Sequence, residues 1–190
     1  MNFRLPIRKC LETLILIVFL LFPSALLAHQ FKVIRVYDGD TIKVEGYGTQ
    51  AVIRLVGIDA PEARDTKREP AQPYYQEAKR HLASLILNKS VEVEAHGLER
   101  HDTYWGTILL DGKNINLEML RKGLAEVYRG KSPEGVDLEP FIEAEEEARA
   151  VKRGMWELGD KYISPQRWRM IRKARLGLLL LYCACEKKGK

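Results

Sequence analysis

Acidic side chains stand at the ends of two predicted strands, where turn-forming residues alone would suffice. In the stretch DGDT, Asp38 and Gly39 need no function, because Asp-Gly is a common turn sequence. Asp40 opens the next strand, from which its carboxylate can face a neighbouring strand end. Farther along, Asp59 and Glu62 follow a strand in the stretch RLVGIDAPE. Asp40, Asp59 and Glu62 are therefore the first candidates for chemistry.

Arg54 interrupts the apolar strand that leads to Asp59. It shares a strand face with Val52 and Val56, where a guanidinium costs stability unless carboxylates or a bound anion satisfy it. One interpretation is a structural ion pair between Arg54 and the acidic side chains that follow it. The other is a site for an anion such as phosphate, and these residues alone leave both interpretations open.

The same four side chains suit the hydrolysis of a phosphodiester. Asp40 and Asp59 offer hard oxygen ligands for Ca²⁺ or Mg²⁺, and neither His nor Cys lies near enough in the sequence to indicate zinc. Glu62 can act as a general base on water, and Arg54 can bind phosphate bidentately and stabilise the charge that builds on its oxygens. A metal, a base and a guanidinium together indicate metal-assisted hydrolysis.

Alternation of apolar and polar residues predicts five strands around these side chains. VIRV, TIKVE and AVIRLVGI form a meander, and SVEVEAHG and YWGTILL supply the fourth and fifth strands. The segment APEARDTKREPAQP is dense in charge and proline, which is typical of an exposed loop.

Three helices accompany the strands. PYYQEAKRHLASLILNKS falls between strands three and four, and its apolar stripe consists of Tyr75, Ala78, Leu82, Leu85 and Ile86. After strand five, NLEMLRKGLA is a short helix that ends at Gly123. GVDLEPFIEAEEEARAVKRG is a longer helix with Asp137 as its cap and a buried stripe of Phe141, Ala144, Ala148 and Val151.

These elements predict an α+β domain that is mainly a β barrel. We expect a five-stranded barrel with one helix between strands three and four and two helices after strand five. The oligonucleotide-binding barrel (OB-fold) is one such closure, although spacing alone does not separate it from other small barrels.

The order of the motifs resembles the staphylococcal nuclease (thermonuclease) family from about Phe31 to Trp156. YDGDTIKV comes first, and IRLVGIDAPE, a helix, DGKNINLEMLRKGLAEVY and KRGMW follow. The resemblance implies an oligonucleotide-binding barrel, dependence on Ca²⁺, and DNA and RNA as substrates that are cleaved.

The resemblance also implies a role for each matching residue. Asp40 and Asp59 correspond to the calcium carboxylates, with the backbone carbonyl of Ala60 as a further ligand. Arg54 corresponds to the first catalytic arginine and Glu62 to the general base.

A second catalytic arginine of this family is missing from the matching position. The family carries it in a D-[RK]-Y-[GN]-R motif before the fifth strand, which falls here on ERHDT with Thr103 in place of the arginine. Removal of such a donor typically costs on the order of a hundredfold in rate. Arg100, at the second position of the motif, is an alternative source of charge. We therefore expect a weakened nuclease.

Two other functions are open to the same barrel. A catalytically inactive module would bind nucleic acid or protein, with Tyr104 and Trp105 stacking on bases. An envelope protein held at the membrane by its apolar termini would keep the metal site for structure only.

The ends of the chain differ from the part between them. Residues 1–28 have a basic start, an apolar middle and small residues near the end, which is the layout of a secretory signal. Leu26 occupies a position where cleavage favours a small residue, so an uncleaved membrane anchor is the alternative. Residues 29–159 hold 19 basic and 23 acidic side chains, whereas residues 160–190 hold 9 basic and 2 acidic ones. Any attraction to a polyanion would therefore come from the tail.

These patterns divide the chain into three segments. Residues 1–28 are a signal peptide or signal anchor, residues 29–159 are one nuclease-like domain, and residues 160–190 are a basic tail. Only Cys183 and Cys185 remain after the signal, which excludes a disulfide scaffold. We expect a secreted or periplasmic monomer, or a protein that contacts the membrane through an uncleaved signal.

Overall fold

The computed structural model describes residues 30–64, 70–100 and 102–175. The predicted signal at 1–28 and the cysteine pair of the tail lie outside these ranges. None of the helices inside them is both long and apolar enough to cross a membrane.

The described chain has eight strands, and five of them form a closed barrel. The strands are β1 (Gln30–Val36), β2 (Thr41–Gly46), β3 (Thr49–Leu55), β4 (Ile58–Asp59), β5 (Ser90–Arg100), β6 (Thr103–Leu110), β7 (Lys113–Asn114) and β8 (Glu126–Val127). β1, β2 and β3 pair as an antiparallel meander, β5 pairs with β1 and β6, and β3 pairs in parallel with β6. The last pairing closes a five-stranded barrel and confirms the predicted α+β fold of the OB type.

The two shortest pairings lie outside the barrel wall. β7 pairs with the end of β6, beyond the residues that pair with β3. β4 pairs with β8 in a separate two-stranded ladder. This ladder holds Asp59 opposite Glu126, so the chain beyond the barrel fixes one of the predicted site carboxylates.

The helices follow the predicted order. They are α1 (Tyr75–Ile86), α2 (Ile115–Arg121), α3 (Glu139–Ala150), a 3₁₀ helix (Gly154–Lys161) and α4, which covers residues 165–175. α1 lies between the third and fourth barrel strands, and α2 and α3 follow the fifth, as the sequence predicts. α4 was not predicted.

Apolar side chains of the strands and of α1 fill the barrel core. From α1, Ala78, Leu82 and Ile86 are fully buried, as its apolar stripe predicts, whereas Tyr75 and Leu85 are half-buried. Burial of Leu82 and Ile86 contributes roughly 1.5–3 kcal/mol each, so this face attaches α1 to the barrel.

Asn116 of α2 is a fully buried polar side chain that ties this helix to the barrel. Its amide nitrogen donates to the carbonyls of Val56 at 2.9 Å and Gly106 at 3.1 Å. Its amide oxygen accepts from the backbone N–H of Ile108 at 3.1 Å. These contacts fix the place where the chain leaves β3, directly before β4.

The predicted buried stripe of α3 is wrong at one position. Val151 follows the end of the helix and is 60% exposed. Glu145 is buried instead, because its carboxylate accepts from the backbone N–H of Val127 at 3.0 Å and from Arg129 at 2.6 Å. Asp137 accepts from the backbone N–H of Glu139 at 3.0 Å, close to its predicted role as the cap.

Candidate active site

The barrel strands bring the predicted acidic and basic residues together at one end. Thr41 of β2 is the ladder partner of Arg54 in β3, so Asp40 lies beside the arginine. The chain then turns after β3 and enters β4, which carries Asp59. Three predicted site residues therefore meet where β2 begins and β3 ends.

The turn before Asp40 packs too closely for a side chain at Gly39. A Cβ atom there would lie 2.7 Å from the Cβ of Ala60 and 2.8 Å from that of Ala78 in α1. The backbone N–H of Ala60 also donates to Oδ2 of Asp40 at 3.0 Å. The glycine thus allows Asp40 to lie directly against β4 and α1.

Arg54 bridges the two buried aspartates. Its Nη2 donates to Oδ1 of Asp59 at 3.1 Å and to Oδ2 of Asp40 at 3.3 Å. Oδ1 of Asp40 accepts from the hydroxyl of Thr41 at 2.7 Å. Because one nitrogen contacts both carboxylates, their oxygens converge on a single point. The charge of Asp40, followed by that of Asp59, raises the pKa of Arg54 against the effect of burial.

The rest of the Arg54 guanidinium is less fully engaged. Nη1 lies 4.0 Å from the carboxylate of Glu99, and the guanidinium carbon lies 5.7 Å from the centre of the Trp105 ring. Within the described ranges, its buried Nε has no hydrogen-bond partner. The arginine therefore retains donor capacity that the aspartates do not use.

Arg169 of α4 is the main site residue that the sequence did not predict. Its Nη2 donates to Oδ2 of Asp59 at 2.7 Å and its Nη1 to Oδ1 at 2.9 Å, which is a bidentate pair. Nη1 also donates to Oε1 of Glu62. One turn later, Arg172 donates to the carbonyl of Ala63 at 3.2 Å and lies 4.0 Å from Glu62.

The sequence offered only a weak signal for this contact. Arg169 lies 110 positions from Asp59 and 107 from Glu62, within a tail whose basic residues are typical of a solvated surface. Net charge indicates that the tail is basic but not which of its arginines enters a site.

Gln72 holds Glu62 and the start of α4 in place. This buried side chain accepts from the backbone N–H of Glu62 at 3.0 Å and donates to the carbonyl of Ile163 at 2.7 Å. Its backbone N–H donates to the carbonyl of Glu62 at 3.0 Å. Gln72 thus links the Glu62 loop to the chain that leads into α4, a role that its sequence context did not indicate.

Burial shifts the pKa values of three carboxyl groups at the site upward. Burial raises the pKa of Asp59 and of Glu62 above their ordinary values, while the hydrogen bonds from Arg169 act in the opposite direction. Burial and then the charge of Asp40 raise the pKa of Asp38 to about 8. Burial therefore disfavours the ionised carboxylates of the site, and the neighbouring positive groups stabilise them.

The donor atoms around Asp40 and Asp59 have the chemistry of a hard-cation site. Carboxylate oxygens are the ligands that Ca²⁺ prefers, and the oxygens of these two residues converge. Across the described residues, however, there is no cluster of three or more His, Cys, Asp or Glu side chains arranged to hold a metal. Both oxygens of Asp59 accept from Arg169, so a cation on Asp59 would compete with the arginine for this carboxylate.

Thr103 begins β6 at the edge of the site. It is the parallel ladder partner of Val52, and Trp105 is the partner of Arg54. Because side chains alternate along a strand, Thr103 and Trp105 share a face of β6. The side chain of Arg100 lies outside the described part of the structure.

The aromatic pair at the start of β6 divides between core and surface. Trp105 is buried and packs on Tyr128 with ring centres 5.5 Å apart, whereas Tyr104 is exposed. Of the two aromatic residues, only Tyr104 is accessible for stacking on a base.

Comparisons with known proteins point to one family. The sequence profile of the family described as "Staphylococcal nuclease homologue" matches residues 52–158. An "Uncharacterized endonuclease" of Haemophilus influenzae is 29% identical over 171 residues, which cover 89% of this chain and 89% of that protein. An "Uncharacterized endonuclease" of Escherichia coli O157:H7 is 36% identical over 140 residues, or 73% of this chain and 83% of that protein.

A fungal protein is similar over a shorter region. The "Probable endonuclease LCL3" of Komagataella phaffii is 33% identical over 127 residues, which cover 64% of this chain and 55% of that protein. This chain thus spans about half the length of that fungal relative, whereas it matches nearly the whole of the Haemophilus protein.

Proposed function

This chain belongs to the staphylococcal nuclease homologue family, and from that premise we propose that it is an exported, Ca²⁺-dependent endonuclease that hydrolyses phosphodiester bonds in DNA and RNA. The observation that carries the proposal is the convergence of Asp40 and Asp59 on Arg54, with Glu62 joined to Asp59 through Arg169. The residues to which we assign cation binding, proton acceptance and phosphate binding thus lie close together.

The residues divide the work of hydrolysis among them. Ca²⁺, when bound by Asp40, Asp59 and the carbonyl of Ala60, supplies positive charge against the phosphate. Glu62 is partly exposed and accepts a proton from the attacking water. As the bond between the water oxygen and phosphorus forms, the ester P–O bond breaks and the leaving oxygen takes a proton from solvent. Arg54 donates hydrogen bonds to the phosphate oxygens, where negative charge builds.

The proposed location depends on residues 1–28. Export follows if their signal-like layout directs secretion to the periplasm or the medium, and membrane attachment follows if the signal stays uncleaved. Mass spectrometry of the protein recovered from cells would distinguish the two, because cleavage removes about 28 residues.

A second candidate function follows from Thr103. Without an arginine there, the barrel could bind nucleic acid through its basic tail and not cleave it. Binding that survives both Glu62→Gln and Asp59→Asn, with no cleavage by the wild type, would favour this candidate.

Digestion assays test the proposal directly. The chain from residue 29 is incubated with DNA and with RNA, in Ca²⁺ and in chelator, and we expect short fragments only in Ca²⁺. Glu62→Gln should lower the rate by on the order of 10²–10⁴-fold. Glu134→Gln, the same change on the exposed surface, should cut at the wild-type rate. A wild type that releases no fragment at any Ca²⁺ concentration would refute the nuclease proposal.

A further inference from the structure

Resting on the proposed nuclease function, we propose that Arg169 of α4 is the second phosphate-binding arginine of the site and does the work that Thr103 cannot do. A threonine carries no charge to set against a phosphorane-like transition state. Arg169 reaches the same carboxylates from the C-terminal side of the chain, outside the region 52–158 that the family profile matches.

The two arginines flank one carboxylate. Oδ1 of Asp59 accepts from Arg54 at 3.1 Å and from Arg169 at 2.9 Å, so the two guanidinium groups lie side by side. Two neighbouring guanidinium groups can donate to different oxygens of one phosphate and place two positive charges beside it. A single arginine supplies only one. The pair therefore forms the positively charged side of a phosphate site.

Arg169 is also the positively charged residue next to the proposed base. Its Nη1 contacts both Glu62 and Asp59, so it lies between the group that accepts the proton and the group that binds the cation. The attacking water and the phosphorus atom must meet beside Glu62. A phosphate bound at that point lies within reach of the Arg169 guanidinium.

The Arg169 side chain is partly exposed to solvent. The side chain of Arg169 is 26% exposed and that of Glu62 is 22% exposed, so both face the solvent from which a substrate enters.

α4 is held in place by contacts that do not involve Arg169. Arg172 donates to the carbonyl of Ala63, and Gln72 donates to that of Ile163 just before the helix. Pro165, at the start of α4, is buried. The Arg169 side chain can therefore turn from Asp59 to a phosphate, and release Asp59 for a cation, while the helix stays docked.

Steady-state kinetics on a short single-stranded DNA in Ca²⁺ test the proposal. Arg169→Gln keeps hydrogen-bond donors but loses the charge, and we expect kcat to fall on the order of 100-fold with a smaller change in KM. Arg169→Lys should retain part of the rate because it keeps the charge without the bidentate fork. Arg80→Gln, which removes an exposed arginine of α1, should leave both constants unchanged.

A rescue variant separates a catalytic role from a structural one. Adding Thr103→Arg to Arg169→Gln should recover at least tenfold in kcat, since it restores an arginine at the position that the family uses. Thermal melting of each variant checks that the fold is intact. If Arg169→Gln does not fold, Arg169→Lys is tested in its place. A damaged fold would not be rescued by a change on β6.

Three outcomes would overturn the proposal, and they differ from one another. An Arg169→Gln variant that cuts as fast as the wild type shows that the arginine is not used. One that cuts faster shows that Arg169 blocks Asp59 and Glu62. A wild type that does not cut at all refutes the nuclease function, and this inference falls with it.

Discussion

At the scale of single residues, the site depends on a balance between buried acids and arginines. Asp40 and Asp59 are almost fully buried, and loss of one partner of a buried ion pair typically costs about 3–5 kcal/mol. Arg54 and Arg169 supply the compensating charge in this structure. A divalent cation on Asp59 would also supply positive charge, so we expect it to compete with Arg169 for this carboxylate.

Asp59→Asn therefore tests cation binding without an assay of activity. If Ca²⁺ binds only the folded wild type, saturating Ca²⁺ should raise its Tm, because ligand that binds only the native state stabilises it. Asp59→Asn should lose most of this Ca²⁺-dependent rise, while Asp111→Asn, the same change in an exposed turn, should keep it. Equal Ca²⁺ shifts in both variants would place the cation away from Asp59.

Glu126 offers a pH-dependent test of the ladder that holds Asp59. Burial raises the pKa of Glu126 above its ordinary value, and it accepts a hydrogen bond from the Tyr162 hydroxyl. The folded state thus favours the protonated acid, and wild-type stability falls as pH rises through the folded pKa. Glu126→Gln cannot ionise, so its stability relative to the wild type should rise between pH 4 and pH 8.

Urea denaturation across this pH range measures the difference. Glu143→Gln, an exposed change on α3, is the control and should track the wild type at every pH. A Glu126→Gln variant whose relative stability falls as pH rises would show that the ionised carboxylate is the stabilising form.

At the scale of elements, buried polar side chains connect the parts of the chain that carry the site. Asn116 fixes the end of β3 through three hydrogen bonds, and Gln72 fixes the Glu62 loop and the chain before α4. Both are buried, and each forms hydrogen bonds with backbone groups of neighbouring segments. These two side-chain amides therefore connect the predicted helices and strands around the site.

Asn116→Ala should destabilise the fold by about 3 kcal/mol, because the buried Ile108 N–H and Val56 carbonyl lose the bonds that Asn116 makes to them. The Gly106 carbonyl also loses its bond to Asn116 but still accepts from the Val56 N–H at 2.9 Å. Asn116→Asp should also be strongly destabilising, since a carboxylate cannot donate to the carbonyls of Val56 and Gly106. Asn114→Ala removes only the N-cap of α2 and should cost about 1 kcal/mol. Urea denaturation measures all three, and equal losses at positions 114 and 116 would contradict the assigned role of Asn116.

At the scale of the whole molecule, local patterns predicted the barrel but not the contacts between its distant parts. Strand alternation predicted β1, β2, β3, β5 and β6, and the apolar stripe predicted α1. β4 and β8 have two residues each, which is too short for any periodicity. Burial of Glu145 depends on Arg129 and Val127, which no apolar stripe reveals.

The candidate site shows the same division. Asp40, Arg54, Asp59 and Glu62 could be found because they interrupt strand patterns within 23 residues of sequence. Arg169 could not, because only the docking of α4 brings it near them. The placement of the four residues agrees with the predicted site, while their roles stay predictions.

Acidic and basic residues are unevenly distributed along the chain, and α4 brings basic residues of the C-terminal segment to the site. The stretch 29–159 has an acidic excess, and the stretch 160–190 has a basic one. Lys161, Lys173 and Arg175 are exposed near or on the same helix that carries Arg169. Substrate attraction should therefore come from the C-terminal segment, because the acidic excess of residues 29–159 repels a polyanion.

Neutralising Lys161, Lys173 and Arg175 together with Gln should weaken binding of a single-stranded oligonucleotide at low salt. Each lost phosphate contact should reduce the slope of log K against log salt by about 0.7, so the loss should shrink as salt rises. Fluorescence anisotropy in chelator measures binding without cleavage. The same change at the exposed Lys113, Lys131 and Lys152 is the control and should have little effect on the slope. If both triple variants lose affinity equally, the attraction depends on net charge and not on the C-terminal segment.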